Sequence, residues 1–336
     1  MKIVVWIAIA LSSSAGAQAP PAPPPALAPY FADGEFNPTD FKWLRGAFPG
    51  ASESQRREYE QAERWAKECF SWDNAEVLRE LSAMGVAADH VTLSAPRSAT
   101  CGTFRQPIPG EFRSFAELQA ADDAAKPIAE SFLFAVKLAE HSSPPPMSPG
   151  ELLRFRPLSE QMIRKALSWD EGGQKSAPPL APPVKRMVQL RLGVATARYD
   201  RANSEWLRKM IDSVGWPKIS SVGPEASNSA WLLVQHADAD PALQLKALRL
   251  MEPLVGAREV DKKNYAYLYD RVMLKITGKQ RYGTQMTCQG GKRVPQTLER
   301  ETGLDRVRAE VGLPPMIEYQ AQMRNMFGDC PKGSGM

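Results

Sequence analysis

Four cysteines behind an apolar leader constrain this chain more than any other feature. Met1 and Lys2 precede an apolar run from Ile3 to Leu11, and the small residues SSSAGAQA follow, in the order of a secretory signal. The run is far shorter than the roughly 20 apolar residues that span a bilayer. Ala15 and Ala17 supply the small residues for cleavage after Ala17, so the chain reads as exported, periplasmic or secreted, with no transmembrane segment in its mature part. In an oxidising compartment an even number of cysteines reads as disulfides. Of the three possible pairings, Cys69 with Cys101 and Cys288 with Cys330 keep each bond inside one proposed domain. Each closed loop then contributes roughly 3 to 4 kcal/mol in the chain-entropy view. No CxxC or clustered Cys/His spacing points to zinc, and neither a metal nor a cofactor is expected.

Proline-rich stretches divide the chain at 19–29, 142–150 and 176–183. They delimit a signal peptide (1–17), a Pro-rich tether (18–37), a helical N-terminal domain (38–175), a linker and connecting segment (176–199) and a C-terminal domain (200–330). Lys+Arg 42 against Asp+Glu 38 leaves +4, and loss of Lys2 with the leader leaves +3, too little to suggest a nucleic-acid partner.

The periodicity predicts a mainly α fold. Helical composition covers Gln55–Phe70, Ala75–Met84 and Leu158–Trp169, and Ser114 with Glu117 forms a capping box that opens a helix, after which Pro127 begins or kinks a second one. Further on, Asn203 can cap a helix ending at Gly215. A second helix starts near Glu225, Asp240-Pro241 opens a third, and Asp261 opens a fourth that Gly278 closes. Gln280–Cys288, Gly290-Gly291 and Lys292–Gln296 then read as a small antiparallel hairpin, and final helices lie near Leu304–Val311 and Glu318–Phe327.

The C-terminal third also carries an ordered set of motifs: Gly215-Trp216-Pro217, Val222-Gly223, Gln235 to Asp238 (QHAD), Asp270-Arg271, Gly278 to Gln285 (GKQRYGTQ) and Gly312 to Pro315 (GLPP). Over roughly residues 201–320 these resemble a bacterial domain family of unknown function. The resemblance implies a domain boundary and no activity.

No GxSxG, HExxH, GxGxxG or P-loop pattern is present. Of the histidines His90, His141 and His236, only His236 lies at the edge of an apolar helical stripe. It reads either as an acid/base group or a metal ligand, oriented by Asp238 or Asp270, or as a boundary histidine bonded to a carbonyl or carboxylate. With Asp238 and Asp240 it spells H-x-D-x-D, the pattern of a divalent-metal cluster, against which Asp240 already serves as a helix cap.

From Arg271 to Leu298 there are six basic residues and no acidic one. In a strand, Gln280, Tyr282 and Thr284 share one face while Arg281 and Gln285 share the other. Arg271, Gln280, Arg281 and Gln285 therefore offer a lining for an anionic or sugar-like envelope ligand, or else the charges protect a sheet edge. The expected pocket joins the QHAD helix, the Asp270-Arg271 helix and this hairpin. Three functions stay open: an envelope binding module, a hydrolase using His236, Asp270 and Tyr282, and a structural envelope protein without a pocket.

Overall fold

The computed structural model describes residues 19–36, 41–87, 90, 91, 93, 95–102, 109–142, 145, 148–168 and 179–330. The leader and parts of the second and third proline-rich stretches lie outside them. The fold is mainly α, with two small two-stranded antiparallel sheets among the described residues.

Residues 19–36, expected as a tether, are packed onto the protein. Pro25–Tyr30 forms a 3-10 turn that buries Leu27 completely, and the Trp65 indole N–H donates to the Pro21 carbonyl at 2.9 Å. Strands β1 (Phe31–Ala32) and β2 (Glu35–Phe36) follow, joined by Asp33 and Gly34 at φ 52° and 76°. Two consecutive positive φ values are what a type I′ hairpin turn requires, and an Asp-Gly pair supplies them at low strain.

Helix α1 (Glu53–Ala83) starts at a complete capping box between Ser52 and Gln55. It runs straight through Ser71–Asn74, where the apolar pattern lapses. The lapse has a cause: Asp73 is buried, and its carboxylate accepts the Arg97 and Ser98 N–H groups at 2.6 and 2.8 Å. Helix α2 (Phe115–Ser142) is likewise one helix with Pro127 inside it. Helices α3 (Pro149–Phe155) and α4 (Leu158–Leu167) lead to α5 (Pro182–Val214), a single 33-residue helix. Asn203 is therefore no cap. It is buried within α5, its side-chain oxygen accepting from Arg156 Nε at 2.9 Å.

The expected punctuation holds beyond that point. Gly215 ends α5, and α6 (Ile219–Val222) and α7 (Pro224–Gln235) follow. Asp240 caps α8 (Pro241–Val255) and Asp261 caps α9 (Lys262–Thr277), which Gly278 terminates in the left-handed region. Strands β3 (Met286–Gln289) and β4 (Lys292–Pro295) pair across Gly290-Gly291, and α10 (Leu304–Glu310) and α11 (Met316–Phe327) complete the fold. Among the described residues no helix is long and apolar enough to cross a membrane.

Two hydrophobic clusters result. One gathers Leu27, Phe36 and Trp65 around the first half of α5, and the other gathers α7, α8 and α9 around its second half. Helices α1 and α5 pass through both, with Trp65 and Leu190 in the first and Val77 and Leu207 in the second. Both expected disulfides are present, Cys69–Cys101 and Cys288–Cys330, and no free cysteine remains among the described residues.

Candidate functional site

Helix α7 ends at His236, and only three residues separate that histidine from the Asp240 cap of α8. This tight connection presents the ring to α4. His236 Nδ1 lies 2.9 and 3.1 Å from the two oxygens of Glu160, whose side chain is fully buried. With its proton on Nδ1 the imidazole donates to that carboxylate, which fixes the ring and leaves Nε2 free to accept a proton or a ligand.

Glu160 is held in turn by Arg164 one turn along α4, with Nε donating at 2.8 Å. The same guanidinium grips Asp200 of α5 with bonds of 2.7 and 2.6 Å. Burial alone would raise Glu160, but His236 and Arg164 outweigh it and hold the carboxyl down at about 2. Asp200 goes the other way: burial, reinforced by the Glu160 charge, pushes it up to about 7 against the pull of Arg164.

His236, Arg164 and Asp200 line a cleft of about 1020 Å³ between α1, α4, α5 and the α7–α8 connection. Its far wall is the segment 95–101, fixed by Asp73 and by the Cys69–Cys101 disulfide. Phe70 and Trp72 add aromatic surface. At one side Arg208 bridges Asp240 (2.9 and 2.8 Å) and Glu80 (2.5 Å), and Arg97 also reaches Glu80.

The other residues singled out in the sequence lie apart from this cleft. Asp270 is fully buried in α9, where Oδ1 accepts the N–H groups of Arg281 and Tyr282 and Oδ2 accepts that of Thr284, all within 2.9 Å. The segment 280–285 is therefore a loop wrapped on one carboxylate, not a strand with alternating faces. Gln280 is fully buried and staples the loop, donating to the carbonyls of Gln285 and Gln296 and accepting from the Gln285 N–H. Gly283 belongs to the same packing, since a Cβ there would come within 2.6 Å of Met316 Cε. Tyr282 is buried edge-on against Tyr269, and its carbonyl accepts from the buried Arg308. Gln285 donates to the Thr284 hydroxyl at 3.1 Å.

Three of the six cations between Arg271 and Leu298 have carboxylate partners. Arg271 and Lys275 converge on Asp238, and Arg281 pairs with Glu299 while lying over the Tyr269 ring at 4.3 Å. Countercharges outside the acid-free interval thus offset half of a patch that looks uncompensated in one dimension. His236, Asp238 and Asp240 do line one cleft; Asp270, Tyr282, Gln280, Gln285, Arg271 and Arg281 are not among its lining residues.

Sequence reasoning did not pick out Glu160, Arg164 or Asp200. A signal existed for the first: Glu160, Ile163 and Leu167 follow the i, i+3, i+7 spacing of one helical face, which puts an acid on an apolar stripe. Such an acid needs a buried partner. Neither the curated proteins nor the solved structures give a match to this chain. The sequence does match a family of unknown function, DUF6624, over residues 160–331, half of the chain, beginning at the glutamate that holds His236. The chain belongs to that family, and its extent takes in α4 and the whole of α5, more than the motifs alone delimit.

Proposed function

We propose that this is an exported protein of the cell envelope that binds a polar, sugar-like ligand in the cleft beside His236. The observation that carries this reading is the buried Glu160 carboxylate fixing one nitrogen of a half-buried imidazole in the cleft wall. A histidine with no task beyond packing gains little from so costly a partner. Carboxylates, guanidiniums and the aromatic faces of Phe70 and Trp72 together form the kind of lining that hydroxyl-rich ligands use. The leader and the paired cysteines support export.

A thermal-shift screen of the mature chain, treated with EDTA, against neutral sugars, anionic sugars and wall fragments tests the proposal. A binder should raise the melting temperature of the wild type and not that of His236→Asn, whose amide keeps the bond to Glu160 while Nε2 is gone. If no ligand stabilises the wild type, or the variant responds equally, the reading fails.

The enzyme reading is favoured by the same pairing, because an oriented imidazole is what an acid/base group needs. It predicts that the wild type cleaves a bound wall fragment and that His236→Asn binds it weakly and leaves it intact.

A further inference from the structure

Glu160, Asp200 and His236 each offer a ligating atom, and the three atoms lie within 4.8 Å of one another. They come from three separate helices, α4, α5 and the end of α7, so the fold rather than a local motif assembles them. A buried carboxylate, a second carboxylate and an imidazole form the borderline N/O set that zinc and its neighbours accept. To make the roughly 2.0 to 2.2 Å bonds of zinc the three groups must draw together, and the hydrogen bond from His236 Nδ1 to Glu160 gives way to the ion.

The carboxylates of Glu160 and Asp200 share the one guanidinium of Arg164. The cleft lining as a whole is rich in carboxylates, seven against four guanidiniums among the described residues, with Asp238 also meeting Arg271 and Lys275 from outside it. Of the other cleft arginines, Arg208 is occupied by Glu80 and Asp240, Arg97 by Glu80, and Arg201 by Glu35. A carboxylate-rich cleft of this kind attracts a dication, and two of the three groups, Asp200 and His236, line it.

We propose that Glu160, Asp200 and His236 form a divalent transition-metal site, with zinc the expected ion, at which Arg164 is the cation the metal displaces. The inference rests on the reading of the cleft as a ligand site and gives that ligand a metal to bind. In the protein without metal, Arg164 occupies the position between the carboxylates and keeps them together. When the ion enters, the guanidinium swings away and can meet an anionic group of the incoming ligand. Magnesium and calcium are disfavoured because one of three ligands is an imidazole.

The test is calorimetric titration of the EDTA-treated mature chain with Zn²⁺ alone. The disulfides leave no free thiol among the described residues to bind zinc in competition. One ion per chain should bind saturably, and His236→Asn and Asp200→Asn should each weaken it by about tenfold or more. Arg164→Gln should bind tighter than wild type, because the competing cation is gone. A second measurement needs no variant: NMR of the wild type should show the His236 ring signals moving on Zn²⁺ addition while those of the exposed His90 and His141 stay. Absence of saturable binding, or binding that His236→Asn leaves unchanged, overturns the site; Arg164→Gln binding no tighter than wild type overturns the displacement. If sugar-class ligands still stabilise the EDTA-treated protein while zinc does not bind, the metal inference alone falls. If zinc binds and no such ligand does, the sugar-ligand reading falls instead.

Discussion

Asp270 carries more of the C-terminal fold than its single charge suggests. Three backbone N–H groups, those of Arg281, Tyr282 and Thr284, end on its carboxylate. Burial pushes its carboxyl upward, with the three amide donors pulling the other way. Asp270→Ala strands all three donors, and each buried unsatisfied group costs about 1 to 3 kcal/mol. Denaturant unfolding should therefore show a loss on the order of 3 kcal/mol or more, with Asp270→Asn intermediate because one oxygen remains. A loss under about 1 kcal/mol would contradict this account. The sequence made Asp270 and Gln280 visible as candidates for chemistry, yet their chemistry is spent on the backbone of 280–285. A buried polar residue that satisfies amides and one that meets a ligand have the same one-dimensional signature. His236 was legible because its place at the edge of an apolar stripe is set by local periodicity; its partner, 76 residues upstream, is set by tertiary packing.

The helices illustrate where local signals end. Caps such as Asp240 and Asp261, and terminators such as Gly215 and Gly278, act within one turn and were readable from the chain. Continuity was less so: α1, α2 and α5 each run through a residue that looked like a boundary, because Asp73 and Asn203 find partners on other segments. The joint between the two clusters depends on one such cross-element contact. Glu80 of α1 receives Arg208 of α5 and Arg97, and Arg208 continues to Asp240 at the head of α8. Burial would raise the Glu80 carboxyl, but the two guanidiniums outweigh it and hold it below its ordinary 4.5. A carboxyl lower in the folded than in the unfolded chain adds stability that is present above about pH 4.5 and is lost as the pH falls through the folded value. Wild type should thus lose more melting temperature between pH 6 and pH 3.5 than Glu80→Gln does. The difference should be small, about 1 kcal/mol or less, because the pair is partly exposed and screened. Parallel pH profiles for the two proteins would remove Glu80 from the joint.

At the scale of the whole molecule, covalent links and the N-terminal segment define what must be intact. Intact mass of the secreted protein should start at Gln18, which retains the Pro21 carbonyl that Trp65 binds, and thiol titration should find no free cysteine. The disulfide pairing was readable because each pair falls inside one of the segments that the proline-rich stretches delimit. The cleft was not, because its walls come from α1, α4, α5 and the α7–α8 connection. The two disulfides also differ in what they brace. Cys101 lines the cleft and anchors segment 95–101 to α1, whereas Cys288–Cys330 ties β3 to the chain just past α11. Chain entropy treats them almost alike, at roughly 3 to 4 kcal/mol each, so position rather than loop length decides their functional effect. Cys69→Ser/Cys101→Ser should lower stability and also weaken binding at the His236 cleft, since the far wall loses its covalent anchor. Cys288→Ser/Cys330→Ser should lower stability by a similar amount while a ligand or Zn²⁺ binds the folded protein with wild-type affinity. Calorimetric titration below the melting point of each variant separates the two effects, and equal loss of affinity in both variants would show that the cleft depends on the C-terminal clamp as much as on its own wall.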